Sequence, residues 1–87
     1  MLTAQDFRDQ AKKTPFVPFR IATSAGETFD VTHPDLIWIG RREVAVGIAD
    51  KDDPSIFDRF ARISILHVTT ITDLPVPSQA HLQNGQA

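Results

Sequence analysis

Phe60-Ala61-Arg62-Ile63-Ser64-Ile65-Leu66-His67-Val68-Thr69-Thr70-Ile71 reads as a strand, a one-turn break and a second short strand. Ala61, Ile63 and Ile65 share one face at period two, Leu66-His67-Val68 breaks the alternation, and the apolar pattern returns at Ile71. A strand that stops for one turn and resumes suggests a small, strongly bent β-barrel. The spacing starts the first of these strands near Ile56, and Asp50-Lys51-Asp52-Asp53-Pro54-Ser55 before it has the composition of a loop.

Further upstream, Val44, Val46 and Ile48 alternate with Ala45, Gly47 and Ala49, so one strand has a bulky face and a small one. The small face invites close approach by the N-terminal helix, another subunit or a ligand. Leu36-Ile37-Trp38-Ile39 is apolar at every position, the pattern of a strand covered on both sides. His33-Pro34-Asp35 ahead of it predicts a bend, because proline removes a ladder donor and holds the preceding residue extended. Phe19, Ile21 and Thr23, then Phe29 and Val31, alternate with polar neighbours as a β-hairpin. Gly26 supplies positive φ in its turn, as a G1 bulge after a type I turn. Thr3 and Asp6 form a variant capping box, Ala4, Phe7 and Ala11 share a helical face, and Pro15 ends the run. The order is a helix followed by about five strands.

With 87 residues, no cysteine and a formal charge of −2, the chain has room for one domain with a modest core and no disulfide or thiolate zinc site. Oligomerisation is the remaining route to further burial, so a homo-oligomer is expected. The start lacks the basic and apolar segments of a secretory signal and no apolar run approaches a membrane span, which leads to an expected cytoplasmic protein with no membrane partner. Every charged residue lies at or before Asp73, so the expected division is a single domain over residues 1–74 and a flexible C-terminal tail over residues 75–87.

Phe19-Arg20-Ile21-Ala22-Thr23-Ser24-Ala25-Gly26-Glu27-Thr28-Phe29 resembles the first Sm motif, and Asp35-Leu36-Ile37-Trp38-Ile39 sits where that family has an Asp and its third strand. Ile65-Leu66-His67-Val68-Thr69-Thr70-Ile71 is similar to the second motif, in which bacterial members place a nucleotide-contacting Lys-His pair. Here Leu66 stands before His67, and Val31-Thr32 occupies the region of the second strand where a glycine is expected. The resemblance to bacterial Sm-like RNA chaperones covers residues 3–72 and implies a mainly β fold with an N-terminal α-helix. That fold is a five-stranded, strongly bent antiparallel sheet closing as an SH3-like or Sm-like barrel. It also implies RNA as a partner and a ring as the assembly.

No nucleophile with a base, carboxylate pair or metal cluster is legible, so no enzyme, no cofactor and no metal is expected. His33 with Asp35 lacks the further ligands of a metal site, and Asp50, Asp52 and Asp53 lack the glycine and distal glutamate of a calcium loop. The candidate binding residues are Trp38, Arg41, Arg42 and His67: guanidinium groups pair with phosphates, and rings stack bases or partner side chains. The leading expectation is a non-enzymatic binding or scaffold module that self-associates and recognises a protein not identified by the sequence. The alternative is an RNA-binding ring using Arg41, Arg42 and His67.

Overall fold

The computed structural model describes residues 1–50, 52, 53 and 56–75. The expected tail lies outside them except for Pro75, as do Lys51, Pro54 and Ser55 of the expected acidic loop. Helix α1 spans Ala4–Ala11, and the strands are β1 (Phe19–Thr23), β2 (Thr28–Val31), β3 (Ile37–Ile39), β4 (Glu43–Ala49), β5 (Phe57–Ser64) and β6 (Val68–Asp73). Two short 3-10 turns, Pro34–Leu36 and Ile65–His67, lie between β2 and β3 and between β5 and β6.

The expected five-stranded sheet closing as an SH3-like or Sm-like barrel is not what forms. Six strands make two separate three-stranded antiparallel sheets, in the orders β2-β1-β6 and β3-β4-β5, and neither closes. The reason lies at the two 3-10 turns, where the chain passes from one sheet to the other. At the first, His33 Nδ1 accepts the Asp35 amide at 3.3 Å and Leu36 donates to the His33 carbonyl at 3.0 Å. These local bonds, together with the missing Pro34 donor, stop the ladder, so β2 and β3 become separate strands. The second turn, inside the segment from Phe60 to Ile71, divides β5 from β6 in the same way.

The sheets share one core. Phe19, Ile21 and Val31 from the first and Ile37, Val44, Val46 and Ile63 from the second are buried together, and Ile65 and Val68 at the second crossing belong to the same cluster. Helix α1 adds Phe7, which is fully buried. The helix begins as its sequence indicates, with the Asp6 carboxylate accepting the Thr3 amide at 2.7 Å in a capping box. It ends at Ala11, ahead of Pro15, and Gln10 and Lys13 reach the Asp73 carboxylate at 2.8 and 3.3 Å, tying it to β6. These two contacts, the Gln10 hydrogen bond foremost, hold the Asp73 carboxyl below its ordinary range.

In the β1-β2 hairpin the Gly26 amide donates to the Thr23 carbonyl at 3.0 Å, and Gly26 takes φ +85°. Thr23, the buried polar residue of the core, is satisfied there by accepting the Glu27 amide on Oγ1 at 3.3 Å. Among the described residues no helix is long and apolar enough to cross a membrane.

Candidate binding face

The residues singled out in the sequence fall in three places. Trp38 is on the outer face of the second sheet, Arg41 and Arg42 are in the β3-β4 turn, and His67 closes the 3-10 turn before β6.

Trp38 is neither a core residue nor on a strand covered from both sides, because its side chain is on the outer face of the sheet and is 47% exposed. Its register partner across the sheet is Ala45, which faces Arg62, while Gly47 faces Phe60. Trp38 and Phe60 therefore stand on the strands flanking β4, and their rings meet edge-to-face over it with centroids 5.2 Å apart. That explains the small face of β4: Ala45 and Gly47 leave room for two large rings to lean together, and Gly47 is buried although it faces outward. Phe60 nonetheless remains 56% exposed.

At the rim of this face Arg62 grips Glu43. Nε and Nη2 donate to Oε1 at 3.2 and 3.0 Å, and Nη2 donates to Oε2 at 2.8 Å. The hydrogen bond, reinforced by the opposite charge, lowers the Glu43 pKa and raises that of Arg62. Nη1 of Arg62 makes no hydrogen bond among the described residues. Among the described residues, the outer edge of β5 pairs with no other strand.

Arg41 and Arg42 are exposed and make no ion pair among the described residues. The turn that carries them is tied at both ends, by the Gly40 amide to the Glu43 carbonyl at 2.8 Å and by the Ile65 amide to the Arg42 carbonyl at 2.9 Å. Gly40 is suited to this close approach, since a Cβ there would lie 3.1 Å from the Glu43 carbonyl oxygen. Both arginines border a cleft of about 450 Å³ with Leu2, Ala4, Ile65 and Leu66. His67 borders a different cleft, of about 540 Å³, between the hairpin turn and β5, whose lining includes Ser24, Glu27, Phe29, Arg59 and Arg62. The fixed part of His67 is its backbone, whose carbonyl accepts the Ser24 amide at 2.8 Å. The expected joint use of Arg41, Arg42 and His67 thus meets two clefts instead of one.

Phe60 is the residue that sequence reasoning passed over. Placing Ala61, Ile63 and Ile65 on one face of the last long strand already puts Phe60 and Arg62 on the other, but only the pairing of β4 with β5 brings Phe60 to Trp38. Arg20 is committed away from this face: it pairs with Asp30 through Nε and Nη2 at 2.7 and 3.0 Å. No three His, Asp or Glu side chains gather as a metal site among the described residues. No protein-family model, curated protein or solved structure matches the chain.

Proposed function

We propose that this protein is a non-enzymatic binding or scaffold module that self-associates through its second sheet. The observation that carries the proposal is the Trp38–Phe60 ring pair, half exposed on the outer face of a sheet whose long strand β5 has an open edge. Apolar surface left on a strand edge is a template for another strand, and natural edges are usually blunted by charge, proline or cover. Size-exclusion chromatography with light scattering is expected to give a mass above the monomer at micromolar concentration. A monomer throughout that range overturns the self-association.

A second reading, an RNA binder, draws on the two exposed arginines without ion pairs at the β3-β4 turn. It expects U-rich or A-rich oligonucleotides to bind at low salt and to lose affinity when Arg41 and Arg42 are both replaced by alanine. Binding that ignores the double replacement, or no binding, removes it.

A further inference from the structure

We infer that the self-associating partner is a second copy of this chain, added antiparallel along the open edge of β5 about a two-fold axis at Ala61. The inference rests on the self-association proposed above and specifies its geometry. A two-fold antiparallel pairing that keeps both aromatic faces on one side must be centred on a single residue facing its own copy. Centred on Arg59 or Arg62, it would set two guanidinium groups directly against each other, which cross-strand pairing disfavours. Centred on Phe60, it would run after one pair on each side into Asp58, where the β5 ladder is irregular: Arg59 faces Ile48 and Phe57 faces Ala49. Centred on Ala61, the pairing stays within the regular stretch from Arg59 to Ile63 and sets small side chains at the axis.

That register has a chemical consequence on the outer face. Phe60 of each copy lies directly opposite Arg62 of the other, at cross-strand spacing. Glu43 holds and neutralises the tip of Arg62 over its own β4, so the Arg62 stem, at cross-strand spacing, is the part that lies against Phe60 of the second copy. Two such contacts, related by the axis, would join the two Trp38–Phe60 pairs into one apolar stripe across a six-stranded sheet. An edge protected by one sign of charge alone would repel its own copy, whereas Phe60-Ala61-Arg62 is complementary to itself read backwards.

The test is charge complementation between copies, read by sedimentation velocity. Phe60→Lys alone places Lys against Arg62 twice, and Arg62→Glu alone places a carboxylate over the Phe60 ring twice. Each is expected to weaken self-association about ten-fold or more. Mixed, the two variants form one Lys–Glu pair and one native Phe60–Arg62 pair, and are expected to recover a heterodimer. Because Arg62→Glu also removes the Glu43 partner, Ala61→Cys supplies an independent readout. In a chain without other cysteines it is expected to cross-link to its own copy on oxidation, more completely than Thr70→Cys on β6. A wild-type monomer overturns both the register and the self-association. A wild-type oligomer that tolerates either single charge change, or a mixture that stays dissociated, overturns the register alone. So does Ala61→Cys failing to cross-link, and so does capture of a different protein's strand on β5 in place of a second copy.

Discussion

The two sheets are built on the same plan but their outer faces differ. The β2-β1-β6 sheet shows solvent Arg20 and Ala22, flanked in register by Asp30 and Thr72 and by Thr28 and Thr70. Its charges are paired across strands, with Arg20 bidentate on Asp30, and its one apolar side chain is a methyl group between two threonines. The β3-β4-β5 sheet shows solvent Trp38 and Phe60 over Ala45 and a buried Gly47, with the Arg62–Glu43 pair at the margin. Both inner faces feed one core, so the contrast does not arise from folding requirements. A face that needs only to be solvated looks like the first. The second keeps two rings on the surface at a cost in exposed apolar area, which points to an occupant.

Side chains added at the centre of each sheet should separate the two faces most sharply. Gly47 sits opposite Phe60 under the ring pair, so Gly47→Val is expected to displace the rings and destabilise the fold by about 1–3 kcal/mol in chemical denaturation. Ala22→Val, at the centre of the polar sheet, should change stability by no more than about 0.5 kcal/mol. Equal losses would mean that the two rings do not fill the space over β4. Removing one ring is a smaller perturbation: Trp38→Ala should cost about 1 kcal/mol, the scale of an edge-to-face pair, and should weaken self-association as well.

Trp38 also reports on its own face, being the chain's single tryptophan. Trp38 stands on β3, across the sheet from the β5 edge that takes the second copy, so dilution through the association range should leave its emission nearly unchanged. A shift to longer wavelength as the measured mass falls would put the second copy over the ring pair instead of along the β5 edge.

The periodicity that marks β1, β2 and β4 comes from alternation against one core, a local property, and it reproduces those strands closely. The same holds for the capping box at Thr3 and Asp6 and for Gly26, where one residue's allowed φ decides the turn. What local pattern could not supply was whether a break bends a sheet or divides it. Pro34 and Leu66 both interrupt a period-two alternation, yet nothing in either pattern states that the strands beyond will pair with different neighbours. Trp38 shows the same limit. An unbroken apolar run from Leu36 to Ile39 reads as buried on both sides, and only the placement of Trp38 on the outer face of the sheet exposes the ring. His67 and the arginine pair, expected to act together, border different clefts, because the second 3-10 turn places Ile65 and Leu66 in one and His67 in the other.

The smallest expected effect distinguishes the sheets by their charges. Hydrogen bonding to Arg20 holds the Asp30 carboxyl below its ordinary range, against the opposing effect of partial burial, and Arg62 does the same for Glu43 on the other sheet. A carboxylate whose folded pKa is depressed contributes stability that is fully present above its unfolded pKa, near ~4. That stability is lost as pH falls through the folded value. Stability should therefore decline as pH drops below about 4, modestly, because the pairs are largely solvated and screened by salt. Asp30→Asn should flatten the decline of the folded monomer without touching association. Glu43→Gln should flatten it and also loosen Arg62, so that self-association falls with it at neutral pH. Denaturation midpoints and sedimentation at pH 7, 4 and 2.5 measure both at once. If Asp30→Asn weakened association as much as Glu43→Gln, the polar sheet would be part of the interface and the contrast between the two faces would fail.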